Sequence, residues 1–116
     1  RSALDFLSDQ GYDQLFLAGY SFGTWVNSRI NCKAARVEKM IMISPPVAFM
    51  DFQPFLPIPS LGLVISGSRD ELAPPDMIKK IFPLWNPDAR FEEIDGADHF
   101  YSRNLEKMES LLYSYI

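Results

Sequence analysis

The 116-residue chain has one cysteine and one histidine, and each scarcity excludes some chemistry. A single thiol, Cys32, cannot close an intrachain disulfide. With no cysteine pair to join His99, no recognisable metal-ligand spacing exists and no metal site is expected. Cys32 itself reads either as a small buried hydrophobe or as a reactive thiol. No apolar run reaches the roughly 18 residues a membrane span needs, and no signal-peptide or lipidation pattern is present, so no membrane partner is expected and the cytoplasm is the default location. Basic residues are also in deficit. Eleven Lys and Arg against fifteen Asp and Glu leave a net charge of -4, and the basic residues are scattered, which argues against a nucleic-acid surface. There is no G-x-G-x-x-G or Walker-type loop, and no cofactor is expected.

What is present suffices for one compact unit over residues 1–116, since 47% of the residues are apolar. Ala3, Leu4 and Leu7 share a helical face in residues 1–12, with Gly11 placed to end that helix. A first strand follows at residues 14–18, from Gln14 to Ala18. A helix is expected over 24–30, a turn over 31–36, and strands over 39–43, 61–66 and 90–94. Met77, Ile78, Ile81 and Phe82 mark a helix opened by Pro74, Pro75 and Asp76 and stopped near Pro83. Leu105, Met108, Leu111, Leu112, Tyr115 and Ile116 repeat at helical spacing. Strands alternating with helices imply an α/β fold, with about four parallel strands joined by right-handed crossovers.

Residues 44–60 break this rhythm. They hold five of the nine prolines, Pro45, Pro46, Pro54, Pro57 and Pro59, and the aromatics Phe49, Phe52 and Phe55. Such a stretch can be neither a regular helix nor a central strand. It follows a strand at the edge where parallel sheets bind ligands, so Phe49 and Phe52 either wall a substrate pocket or plug the core. Tyr20 and Phe100 carry the same two readings.

The chemistry is concentrated in three turns. Gly19-Tyr20-Ser21-Phe22-Gly23 follows the apolar run Leu15-Phe16-Leu17-Ala18 and has the form strand, G-x-S-x-G, helix, a nucleophile elbow. Gly19 and Gly23 are expected where a Cβ would collide with the turn or its neighbours. The turn lifts Ser21 Oγ above the sheet and aims the Phe22 N–H toward a developing oxyanion. Downstream, a strand opens into Gly67-Ser68-Arg69-Asp70. Another opens into Asp95-Gly96-Ala97-Asp98-His99-Phe100. A serine is a weak nucleophile at its own pKa, so a base must take its proton and return it to the leaving group, and histidine suits both tasks. A carboxylate on the other ring nitrogen fixes the tautomer. Asp70, at a strand end, is better placed for this than Asp98, whose side chain is expected to tie down its own loop. Glu71 and Asp95 read as turn or solvated residues.

In this order, Ser21, Asp70 and His99, with their three glycine-containing turns, the chain resembles the α/β-hydrolase superfamily, most closely its small dienelactone-hydrolase-like members. The resemblance covers all 116 residues but only the C-terminal part of the family's domain. It implies a serine hydrolase cleaving an ester or thioester of a small-molecule substrate through an acyl-enzyme. The alternatives are a peptidase on the same triad, or a non-catalytic hydrolase-fold module serving association. In the family, a loop preceding the elbow supplies the second oxyanion donor, and nothing upstream of Gly19 matches it. The family's strand order leaves residues 14–18 as an apolar edge. Through that edge the chain is expected either to form a homodimer or to pair with a missing N-terminal segment.

Overall fold

A computed structural model describes residues 15–31 and 37–115. The helix expected over residues 1–12, the thiol of Cys32 and the side chain of Ile116 lie outside the described residues. Among the described residues four strands form one sheet in the order β1-β2-β3-β4, all neighbours parallel. They are β1 (Leu15–Tyr20), β2 (Val37–Ile43), β3 (Leu61–Gly67) and β4 (Arg90–Ile94). Helix α1 (Phe22–Asn31) follows β1, α2 (Pro75–Trp85) links β3 to β4, and α3 (Leu105–Tyr115) closes the chain.

The sequence pattern explains the layering. The β3 segment is an almost unbroken apolar run because both of its faces are covered, as parallel sheets flanked by helices require. On one face Met40, Met42, Leu61 and Val64 pack with Ile78 and Trp85 of α2 and with Phe52. On the other, Ile41, Ile43, Leu63 and Ile65 pack with Tyr101 and with Met108, Leu111 and Leu112 of α3. Consecutive residues from Met40 to Ile43 in β2 and from Leu63 to Ile65 in β3 thus serve opposite cores, the period-2 geometry of a strand, whereas a register shift between Met40 and Ile41 leaves Leu61 in the same core as Val64.

Helix α2 runs two residues past Pro83, which lies inside it. A proline removes one intrahelical donor, but so near the end the loss is outweighed by burial of Trp85, which is 2% exposed with its ring tilted against Phe52 at 5.0 Å. The end is then sealed by Asn86, whose N–H donates to Phe82 O and whose side-chain amide donates to Leu61 O at 2.7 Å. Residues 44–60 are irregular, with a single short turn of 3-10 helix (Gln53–Phe55). Their aromatics divide. Phe52 is 3% exposed within the core, Phe55 sits edge-on to Trp25 at 5.2 Å, and Phe49 is left 65% exposed.

Among the described residues β1 pairs only with β2, and Phe16 of β1 is half exposed. No helix among these residues is long and apolar enough to cross a membrane.

Candidate active site

The sheet gathers its functional groups at the C-terminal ends of the strands. β1 runs two residues beyond the expected strand, up to Tyr20, and α1 begins at Phe22, so Ser21 alone makes the corner. Its φ of 54° lies in the left-handed region, where an L-residue with a side chain costs about 1–2 kcal/mol. The surroundings hold it there. Ser21 N–H donates to Ile43 O at 2.8 Å, extending the β1–β2 ladder, while Ser21 O accepts from the N–H and the hydroxyl of Thr24 at 2.9 and 2.6 Å. Phe22, the first residue of α1, points an N–H that has no partner inside the helix out of its positive end.

The two elbow glycines are not equivalent. A Cβ at Gly19 would come within 2.5 Å of Asn27 Nδ2 and 2.9 Å of the Gly23 main chain. A Cβ at Gly23 would meet nothing within 4 Å among the described residues, which corrects the expectation that both glycines avoid a collision. Gly23 matters as the backbone on which a side chain at position 19 would press.

The structure brings Ser21, Asp70 and His99 together. Ser21 Oγ lies 2.7 Å from His99 Nε2, and His99 Nδ1 lies 2.9 Å from each carboxylate oxygen of Asp70. Asp70 and His99 are 2% and 7% exposed, whereas Ser21 is half-buried. Facing a carboxylate, Nδ1 must carry the ring proton and donate it, which leaves Nε2 as the acceptor for the Ser21 hydroxyl. Asp70 is fixed in turn, since its Oδ1 also accepts from the N–H groups of Leu72 and Ala73 at 3.0 and 2.9 Å. Asp98 turns away from the ring and accepts from the Phe100 N–H at 3.0 Å.

Further groups hold the His99 loop, and the sequence reading had not singled them out for that. Tyr20 Oη donates to His99 O at 2.6 Å. Tyr101, 1% exposed, shares a 2.5 Å hydrogen bond with the buried Ser44, and both residues take positive φ, 55° and 52°. Burial, and then the negative charges of Asp70 and Asp98 together with Tyr20, push the Tyr101 phenol well above the ordinary tyrosine range despite the bond from Ser44. Gly67 admits the loop to the end of β3: a Cβ there would overlap Ala97 O and lie 2.6 Å from Ala97 C, and Arg69 N–H donates to that same carbonyl at 2.9 Å. The glycine in Gly67-Ser68-Arg69-Asp70 was visible in the sequence, but its reason was not.

The aromatic candidates lie apart from one another. Phe100, 71% exposed, stands edge-on to His99 at 5.7 Å, and Tyr20 lies 5.4 Å from the imidazole on another side. Phe49 and Phe52 instead line an apolar groove of about 580 Å³ between residues 47–56 and α2, and no side chain of the three gathered residues lines that groove. Among the described residues no group of three or more His, Cys, Asp or Glu could hold a metal ion.

No protein-family model matches the chain. An uncharacterized protein of Rickettsia prowazekii is 26% identical over 125 residues, covering 99% of this chain and 52% of its own length. Among solved structures, a proposed α/β hydrolase of unknown function from Agrobacterium tumefaciens superposes with a TM-score of 0.89 at 26% identity, over 98% of this chain and 55% of that one. An α/β serine hydrolase homologue from Coxiella burnetii gives 0.85 at 25%, over 97% and 54%. A lidless α/β serine hydrolase from Xanthomonas campestris gives 0.73 at 28%, over 84% and 44%. The chain therefore spans about half the length of the relatives it matches, and in that span it has the α/β-hydrolase fold that these solved hydrolases share.

Proposed function

We propose that the chain carries the nucleophile, base and acid of a serine hydrolase that cleaves a carboxylic ester or thioester of a small to medium acyl group. The observation that carries the reading is the continuous relay from Ser21 Oγ through His99 to Asp70 at 2.7 and 2.9 Å, with the serine held strained at the head of a helix. Ser21 Oγ attacks the acyl carbon as His99 Nε2 takes its proton. The bond from that carbon to the leaving oxygen or sulfur breaks, and the proton on Nε2 passes to the leaving group. Water then gives a proton to Nε2 as its oxygen bonds to the acyl carbon, and the bond from that carbon to Ser21 Oγ breaks as Nε2 returns the proton to Oγ, releasing the acid. Asp70 stabilises the imidazolium in both steps, and the Phe22 N–H donates to the oxyanion.

One oxyanion donor is half of the usual pair, and loss of one typically costs about 2.7–4 kcal/mol of transition-state stabilisation. The family resemblance puts the second donor on a loop preceding the elbow. The test is labelling by a fluorophosphonate of this chain, of its Ser21→Ala variant, and of a chain extended at its amino end. Labelling that vanishes in the variant is expected, fastest in the extended chain. An unlabelled serine in every form would sink the reading.

One observation favours the second reading, a module serving association: β1, with its half-exposed Phe16, has a neighbouring strand on one side only among the described residues. Under that reading β1 pairs with a second copy or with a preceding segment. It would leave Ser21 inert, and where the partner is a second copy light scattering reports a dimer.

A further inference from the structure

His99 sits in a loop, outside any strand or helix, so no ladder fixes its main chain. Its ring is engaged at both nitrogens, but ring contacts alone leave the peptide that carries the ring free to tilt. Neighbouring loop residues are tied by Arg69 N–H to Ala97 O and by Tyr101 to Ser44, but at His99 itself the main-chain carbonyl is taken by Tyr20 Oη at 2.6 Å across 79 residues of chain. Tyr20 is the last residue of β1, paired in register with Ile43, so its Cα is set by the sheet and its ring is a strut of fixed length from sheet to loop. It also immediately precedes the nucleophile.

We propose that Tyr20 is a positioning residue for the base: its hydroxyl clamps the His99 carbonyl and holds Nε2 in line with Ser21 Oγ. Because strut and nucleophile are consecutive residues, any shift of the elbow carries the base with it, and the 2.7 Å contact survives. The tilted stacking of the two rings, 34° between planes at 5.4 Å, guides the imidazole from one side. Partial burial and the nearby charges of Asp70 and Asp98 raise the Tyr20 pKa, so the phenol keeps the proton it donates. The inference rests on the proposed role of His99 as base. It reassigns Tyr20 from pocket wall to support, even though the ring is 43% exposed.

The experiment compares the chain with Tyr20→Phe, which keeps the ring and removes the hydroxyl. A misplacement of about 1 Å can cost on the order of 100-fold in rate, so the limiting rate of fluorophosphonate labelling should fall roughly 10- to 100-fold. The half-saturating probe concentration and the melting temperature should stay where they were. A higher half-saturating concentration at an unchanged limiting rate would make Tyr20 a substrate contact and overturn the proposal, as would no change in either. His99 is the chain's single histidine, so its two ring nitrogens give unambiguous NMR resonances that report its setting without any reaction. If the parent chain is not labelled at all, the hydrolase reading fails. The clamp then stands if these resonances move in Tyr20→Phe and falls if they do not. Should the variant fail to fold, the parent chain in mixed light and heavy water decides. A split Cζ resonance of Tyr20, the mark of a slowly exchanging hydroxyl, is expected, and a single averaged one overturns the clamp.

Discussion

Asp70 and His99 face each other with both carboxylate oxygens 2.9 Å from Nδ1, while the same Asp70 Oδ1 accepts from the backbone of Leu72 and Ala73. The acid is therefore oriented by its own turn and the ring by the acid. The site is a chain of constraints that begins in local turn chemistry and ends on Ser21.

Asp70→Asn tests that chain. The amide oxygen can still accept from Leu72 and Ala73, so the turn should persist and the melting temperature should change little. The amide N–H groups would face Nδ1, force the proton to Nε2, and point a donor at Ser21 instead of an acceptor. In a Ser-His-Asp triad this tautomer error lowers the rate by about 10⁴-fold, and a loss of that order is expected in labelling or ester turnover. A variant that kept its rate would show that Asp70 does not orient the ring.

Gly67→Ala addresses how the loop reaches the sheet. The added methyl would run into the Ala97 carbonyl, which is backbone and cannot swing aside. Overpacking of this kind typically costs about 1–3 kcal/mol, and here it should also push Asp98 and His99 outward, so stability and labelling should fall together. Gly23→Ala, whose methyl meets nothing within 4 Å among the described residues, should cost much less stability. Thermal melts of the two variants check the contrast, and equal losses would count against the close approach at Gly67.

Tyr101 gives an alkaline signature. Its phenol is held well above the ordinary value of about 10, so the unfolded chain loses that proton first as pH rises. The stabilisation is whole below about pH 10 and drains away above it, because there the folded state binds more protons than the unfolded one. Tyr101→Phe should flatten the fall of melting temperature with pH beyond that point. At neutral pH it should cost about 1–3 kcal/mol, since Ser44, fully buried, loses its partner. Parallel alkaline slopes for the two chains would refute the assignment.

Much of the architecture is legible in the chain because its causes are local. The unbroken apolar run of residues 61–66 marks a strand buried on both faces. The proline pair at 74 and 75 opens a helix, and a strand of five residues ends at Ile94 where the glycine turn begins. The element ends were harder to read. β1 extends to Tyr20 and α1 starts at Phe22 because pairing with β2 and the strained φ of Ser21 decide where strand becomes helix, and neither is written in residues 19–23 alone. Pro83 is a sound reason to end a helix, but burial of Trp85 two residues later outweighed it.

By itself, the sequence determined the alternation of strands and helices, the parallel sheet that follows from it, and the order in which a serine, an acid and a histidine appear at strand ends. These depend on side-chain periodicity and turn chemistry among neighbours in the chain. Only the tertiary structure decided that Tyr20 reaches the carbonyl of His99, that Ser44 holds Tyr101, that Gly67 rather than Gly23 is the glycine crowded by a loop, and that Phe52 lies in the core while Phe49 stays in solvent. Each is a meeting of groups about 30 to 80 residues apart or a matter of solvent exposure. Such distances are fixed by how the layers pack, and no local pattern records them.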